Sequence, residues 1–204
     1  MSLTDEQELA LGKQAEQIRE TIIKMLVSAG SGHTAGPLGM ADIFTAFYFH
    51  ILKHDPKNPG WPERDRLVLS NGHICPVLYA TMAHAGYFPV EECLTLRKFG
   101  SRLQGHPERL RLPGLETTSG PLGEGLSQAA GMAYAFRMDE MKDLGGLSSD
   151  ERPPRSKHGR RIYCLMSDGE QEEGNIWEAV MFAGKNKLHN LTAVMDRNNI
   201  QIDG

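Results

Sequence analysis

Two short apolar runs in this chain end in groups that suit a hard cation. Tyr163-Cys164-Leu165-Met166-Ser167 leads into Asp168-Gly169-Glu170, and Val194-Met195-Asp196 leads into Arg197-Asn198-Asn199-Ile200. Each run has strand composition and stops at a carboxylate or amide beside a turn residue. The stretch between them, from Asn175 to Leu188, fits a helix, so the unit reads strand–loop–helix–strand with a right-handed crossover. That crossover sets Asp168 and Asn198 at the carboxyl ends of neighbouring parallel strands, the edge at which open α/β sheets bind ligands. A carboxylate oxygen and an amide oxygen converging there make an oxygen-only pocket of the kind Mg²⁺ takes when it also holds phosphate. Gly169 lets backbone approach an anion, and the helix that follows adds N–H donors. Either half alone reads as an ordinary strand with a capping Asp or a turn Asn. The pair points to a diphosphate–Mg²⁺ site.

Three of the eight histidines directly follow a glycine: Gly32-His33, Gly72-His73 and Gly105-His106-Pro107-Glu108. Glycine there permits a sharp turn and clears space for a ligand. Three imidazoles can ligate zinc, but their wide spacing and glycine-rich context fit a hydroxylated or phosphorylated small molecule better. A neutral imidazole donates at one nitrogen and accepts at the other, which suits sugar hydroxyls and proton transfer near neutral pH. His50, His54, His84, His158 and His189 read as surface or packing residues. Gly120-Pro121-Leu122-Gly123-Glu124-Gly125 offers backbone N–H groups and an apolar Leu122 ahead of a helix. It lacks the phosphate-loop lysine pattern and the strand context of a dinucleotide fingerprint, so a rigid helix-entry turn competes with a binding role.

The elements that must position these groups follow from the hydrophobic period. Thr4 to Ser28 reads as an amphipathic helix with Leu9, Ile18, Ile22 and Leu26 at helical spacing and a Thr4–Gln7 capping box. It stops at the glycine-rich stretch from Ala29 to Gly39, and Met40 to Leu52 resumes helix. Asp55 to Glu63 is a proline-rich loop, Arg66 to Leu69 a short buried strand, and Ser70-Asn71-Gly72-His73 a turn. Pro76 to Ala85 is a helix with Pro in its first turn, and Val90 to Phe99 is expected to be another. Gly105 to Gly125 is irregular and too long for a simple connector. Leu126 to Leu144 is a helix whose Ala129, Ala130, Gly131 and Ala133 permit close packing, and Gly145 to Arg161 is a polar loop. Strand, polar loop, helix is the recurring order. The expected fold is α/β, a mostly parallel sheet with helices on both faces, in one domain spanning 1–204.

Length and composition agree with that class. The 204 residues are enough for one sizeable core, and 40% hydrophobic with 24% charged residues is ordinary for a globular protein. A formal net charge of −4 gives no long-range attraction to nucleic acid or to an anionic membrane, so phosphate binding has to be local. Cys75, Cys93 and Cys164 are far apart and lack metal-ligand spacing, which reads as buried thiols in a reducing cytoplasm. Ser2 to Arg19 is polar and acidic, unlike a targeting segment, and no apolar run approaches a membrane span.

Taken in order, the motifs resemble those of transketolase. They are Ser31-Gly32-His33, Gly36-Pro37-Leu38-Gly39, Asp65-Arg66 with Ser70-Asn71-Gly72-His73, Gly105-His106-Pro107-Glu108, Gly120-Pro121-Leu122-Gly123, and Ser167-Asp168-Gly169 with Asn198. The resemblance runs from Gly12 to Gly204. The metal pair is shared with thiamine diphosphate enzymes at large, whereas the histidine loops and Gly-Pro-Leu-Gly are specific to transketolase and its close relatives.

The resemblance implies thiamine diphosphate and Mg²⁺ as cofactors and the diphosphate-binding domain of that fold. Asp168, Asn198 and the Ile200 carbonyl are similar to the Mg²⁺ ligands, Gly169 to the diphosphate-contacting glycine, and His73 to a histidine that touches the diphosphate. His33 and His106 resemble residues at the thiazolium entry, Gly120 and Leu122 resemble cofactor contacts, and Glu173 matches a glutamate in a proton-sharing network between two sites of a dimer. The implied reaction moves a two-carbon ketol unit from a ketose phosphate to an aldose phosphate. Ser167 stands where many members have Gly, and Thr34 follows His33 where Pro is common. A further family histidine and the pyrimidine-binding half are not in this sequence. The expectation is therefore a domain incomplete at its C-terminal end with an exposed sheet edge. It is expected to act only with a pyrimidine-binding partner, in a dimer or heterotetramer, on sugar phosphates and not on nucleic acid or membranes. Dihydroxyacetone synthase, 1-deoxyxylulose-5-phosphate synthase and a non-catalytic cofactor-binding module are the competing readings; the Gly-Pro-Leu-Gly loop argues against the second, and the full set of three histidines against the third.

Overall fold

Thr4 starts the first helix as its pattern requires. The Thr4 hydroxyl accepts from the Gln7 N–H and the Gln7 side chain accepts from the Thr4 N–H, so two of the helix's orphan donors are satisfied. The structure is a computed structural model describing residues 3–143 and 159–199. Helix α1 (Asp5–Ala29) ends where Gly30 takes φ +64°, a left-handed cap that closes onto the Leu26 and Val27 carbonyls.

The chain divides into two units, Met1–Trp61 with Gly72–Gly120, and Pro62–Asn71 with Pro121–Gly204. The first unit is helical. Besides α1 it contains α2 (Ala35–Gly39), α3 (Ala41–Ala46) and α4 (Cys75–His84). The helix expected from Met40 to Leu52 is realised as α3 running into one π turn, Phe47–Ile51, in which the Leu52 N–H reaches back to Phe47. Ile18 and Ile22 of α1, Phe44 of α3 and Tyr79 and Met82 of α4 are fully buried. Within this unit His84 is held between the Gln14 and Thr21 side chains, and His54 stacks on Tyr87 while bonding the Tyr48 carbonyl. Both serve packing.

The expected helix from Val90 to Phe99 does not form. A 3₁₀ turn, Val90–Thr95, stops at Leu96, and Arg97 takes φ +60°. Two tertiary contacts outweigh local propensity here. The Arg97 N–H donates to the Leu103 carbonyl, and the Arg102 guanidinium forks onto both oxygens of Glu92.

Among the described residues the second unit is a three-stranded parallel sheet in the order β1 (Arg66–Leu69), β2 (Ile162–Ser167), β3 (Leu191–Asp196), with α5 (Gly125–Asp143) and α6 (Gly174–Lys185). Val68 pairs with Cys164 and Cys164 with Ala193, and at the carboxyl end Ser167 pairs with Asp196. Ile162, Cys164 and Met166 alternate onto one face of β2 and join a core with Ala129, Ala130 and Ala133 of α5 and Ile176 and Ala179 of α6. At the opposite end of the strands buried Asp65 accepts the Arg161 N–H at 2.8 Å and pins the entry to β2. Cys75, Cys93 and Cys164 are free and buried.

Among the described residues β3 forms one edge of this sheet, and its residues are half-buried or exposed. An apolar groove of about 400 Å³ runs beside it, lined by Ala179, Ala183, Leu188, Leu191 and Ala193 among others. Trp177, Val180 and Met181 of α6 are exposed as well. No described helix is long and apolar enough to cross a membrane. The expected loop from Gly145 to Arg161 lies mostly outside the described residues.

Burial and capping rank two substitutions. Ile22→Ala removes a fully buried side chain and is expected to cost about 2–5 kcal/mol. Thr4→Ala removes one exposed cap and is expected to cost about 1 kcal/mol. Urea unfolding of the two variants checks the order, and an equal shift in midpoint would contradict it.

Candidate functional site

The strand ends of the second unit gather the groups expected for a cation. Asp168 directly follows β2, and its N–H donates to the Asp196 carbonyl at the end of β3 at 3.0 Å. Its carboxylate accepts from the Gly169 N–H at 3.0 Å and from the Asn199 N–H at 2.8 Å. The first of these bonds N-caps the 3₁₀ turn Gly169–Glu172; the second ties the loop after β3 to the end of β2. Asn198 is exposed on that loop, and its amide donates to the Asp196 carboxylate at 3.3 Å. The crossover thus brings Asp168 and the Asn198 segment together, and Asn199 is held with φ +58° where they meet. Ile200 lies outside the described residues.

The Gly120–Gly125 segment enters the second unit from Pro121 onward. Gly123 is buried with φ +86°, and a Cβ there would meet the Glu173 Cβ at 2.7 Å and the Asn175 Oδ1 at 2.8 Å. Gly125 opens α5 directly against Ser70, where a Cβ would fall 2.6 Å from the Ser70 backbone. Only glycine allows this approach. Leu122 is 43% exposed although apolar, so its side chain is presented rather than packed. Glu173 is exposed at the start of α6 and makes no side-chain cap.

In the first unit the three glycine-flanked histidines gather in space. The rings of His33 and His73 meet edge-on with centroids 4.8 Å apart. Gly72 sits against Ser119 and His106, its missing Cβ leaving room for the His106 ring. Desolvation, together with the positive fields of Arg97 and His33, holds the His106 pKa below the ordinary imidazole value. Arg97 packs its guanidinium on Gly105. His33 and His106 are exposed and His73 is half-buried, so all three present ring atoms at a surface.

Sequence reasoning missed Glu170. It is fully buried and lies two residues past Asp168, yet its partners are Ser70, Gly123 and Ser167. The only local signal is an acidic residue in a turn beside an apolar strand, which most turns also show.

The residues fit a diphosphate with Mg²⁺. Asp168 and Asn198 carry carboxylate and amide oxygens, the hard donor type that Mg²⁺ prefers. The buried Asn71 Oδ1 and Asn175 Oδ1 have no hydrogen-bond partner among the described residues. In the first unit the buried Ser119 hydroxyl is likewise unpartnered among the described residues.

Two outcomes are expected from this geometry. Gly125→Ala forces the Ser70 backbone to shift and is expected to cost about 1–3 kcal/mol, read by urea unfolding. His106 is expected to titrate below the reference of about 6.5. Its depressed value favours the folded state above that reference, and this contribution is lost as the pH falls through the folded value. NMR titration of the ring in Arg97→Gln should move the midpoint upward but leave it below the reference, because desolvation is the larger cause. A midpoint at or above the reference in the unsubstituted chain would contradict the assignment.

Comparison with known proteins gives the family. The family described as "Transketolase, thiamine diphosphate binding domain" matches residues 12–204. The 6-deoxy-6-sulfo-D-fructose transketolase subunit SqwG of Clostridium sp. (strain MSTE9) is 44% identical over 98% of this chain and 66% of its own length. One chain of the apulose-4-phosphate transketolase of Phocaeicola vulgatus is 40% identical over 94% of this chain and 62% of its own length. Among solved structures, transketolase from Leishmania mexicana superposes with a TM-score of 0.85 at 35% identity, covering 95% of this chain and 28% of that enzyme. The chain therefore spans less than two thirds of the relatives it matches. With the parallel sheet, the Asp168–Asn199 tie and the histidine cluster in place, the match over residues 12–204 makes this chain a member of the transketolase thiamine diphosphate-binding domain family.

Proposed function

We propose that this chain is the diphosphate-holding half of a transketolase. Joined to a pyrimidine-binding half, it moves a two-carbon ketol unit from a ketose phosphate to an aldose phosphate. The observation that carries the reading is the tie from the Asn199 N–H to the Asp168 carboxylate, which sets a carboxylate and an amide-bearing loop side by side at the carboxyl ends of parallel strands.

In this reading Asp168, Asn198 and the Ile200 carbonyl hold Mg²⁺, and Gly169 and His73 meet the diphosphate. Gly120 and Leu122 contact the thiazolium, which accounts for an apolar Leu122 left exposed. Thiamine diphosphate supplies, when bound, the electron sink that carbon–carbon cleavage next to a carbonyl requires. The chain's own residues bind, orient and move protons. His33, His73 and His106 bond substrate hydroxyls, each imidazole donating at one nitrogen and accepting at the other. A depressed pKa keeps His106 neutral near pH 7, so that it retains an acceptor nitrogen for a hydroxyl proton. Glu173, exposed at the start of α6, shares a proton with its counterpart across a dimer or heterotetramer. The relatives are named for a sulfonated ketose and a phosphorylated sugar, which supports a substrate with a terminal anion here too. A cytoplasmic location fits the three free thiols.

The test is calorimetric titration of the chain with thiamine diphosphate, with and without Mg²⁺. Binding is expected only with Mg²⁺. The double variant Asp168→Ala/Asn198→Ala should lose that binding while its circular dichroism stays that of the parent. Unchanged affinity in the double variant would overturn the metal assignment.

A further inference from the structure

Glu170 is a fully buried carboxylate with no cation beside it among the described residues. Burying a charge is costly unless every lone pair is met, and here it is met by neutral donors alone. Oε1 accepts from the Gly123 N–H at 2.8 Å and from the Ser70 hydroxyl in a short bond. Oε2 accepts from the Ser167 N–H at 2.7 Å and the Ser167 hydroxyl at 3.2 Å. The Ser70 oxygen in turn accepts the Gly125 N–H at 3.0 Å. One side chain therefore joins three segments: the end of β1, the loop entering α5 and the end of β2.

These are loops at the carboxyl edge of the sheet, where open α/β folds take their ligands. Glu170 also decides how the loop before α5 is turned. In a planar trans peptide the carbonyl points opposite to the N–H. With the Gly123 N–H committed to Glu170, the Leu122 carbonyl must face away from the buried carboxylate, and the exposed Leu122 side chain is set on that segment. On the other oxygen, the Ser167 N–H anchors the residue immediately before Asp168. A neutral amide in place of the carboxylate cannot do this. All four groups facing Glu170 serve as donors, and a glutamine would turn an N–H₂ toward two of them.

We propose that Glu170 is the positioning residue of this site. Its buried charge fixes the 120–125 loop and the Ser167–Asp168 junction in the geometry that grips thiamine diphosphate and its Mg²⁺. Glu170 acts through Leu122 and Asp168 and touches neither cofactor nor substrate. The proposal rests on the functional reading given above.

The experiment compares the unsubstituted chain with Glu170→Gln, which keeps the volume, and with Ser70→Ala, which removes only the hydroxyl bridge. Amide hydrogen exchange without ligand reads Gly123, Gly125 and Ser167 directly. Calorimetric titration with thiamine diphosphate and Mg²⁺ reads the affinity of the folded molecules. In Glu170→Gln, exchange at Gly123 and Ser167 should quicken, and affinity should fall by roughly tenfold to a hundredfold, the range for a residue supporting metal ligands. Ser70→Ala should quicken Gly125 and weaken binding by less. If Glu170→Gln binds as tightly as the parent, the positioning role is wrong, whatever happens to its melting temperature. If Gly123 stays protected in Glu170→Gln, the loop does not depend on the charge, and the proposal fails on that ground. An unsubstituted chain that binds no thiamine diphosphate at all would overturn the functional reading itself, and the cofactor part of this proposal with it.

Discussion

Parallel pairing of β2 between β1 and β3 is the constraint on which the sheet-edge chemistry depends. Parallel neighbours cannot be joined by a tight turn, so each connection must leave the sheet and return, and the carboxyl ends of all three strands come to one edge. Ser70, Ser167 and Asp196 stand at or just beyond those ends. Antiparallel pairing of the same segments would send Asp168 and the loop after β3 to opposite edges, and the bond from the Asn199 N–H to the Asp168 carboxylate could not form.

Convergence alone does not fix a loop. The second unit meets this need with a buried charge, and the donors around Glu170 are the backbone N–H groups and hydroxyls that the three loop segments would otherwise leave unpaired. Gly123 and Gly125 belong to the same design. Each lets backbone come so close to a neighbour that a methyl group would not fit. Close approach supplies the donors, and the carboxylate holds them in place. The core beneath is built from small residues for a related reason: Ala129, Ala130 and Ala133 let α5 lie tightly on the sheet, which brings its N-terminal loop down to the strand ends.

The first unit reaches its histidine cluster by different means. His33 and His106 sit on loops and His73 on the 3₁₀ turn Gly72–Ile74, each beside a glycine, with helices α1, α3 and α4 packed as the scaffold. Arg97 contributes from an unexpected direction. Its left-handed backbone ends the 3₁₀ turn and folds the guanidinium onto Gly105, adding positive potential next to His106. The left-handed backbone at Arg97 thus sits beside the imidazole whose pKa it helps to lower.

What the sequence by itself determined was local. A hydroxyl three residues from a glutamine made a capping box, glycine ended α1, and two apolar runs that stop at Asp168 and Asn198 declared a crossover, because handedness and strand period leave few alternatives. Glycine before histidine marked three close approaches, two on loops and one, at His73, on a 3₁₀ turn, since close approach needs a missing Cβ wherever it occurs. Tertiary structure alone decided the rest. Val90–Phe99 has helical propensity, but the Arg97–Leu103 bond and the Arg102–Glu92 fork outweigh it. Glu170 was illegible because its partners Ser70 and Gly123 are 100 and 47 residues away. A carboxylate carries no sign in its own neighbourhood of which distant N–H groups will surround it, and only folding brings those donors within hydrogen-bond reach.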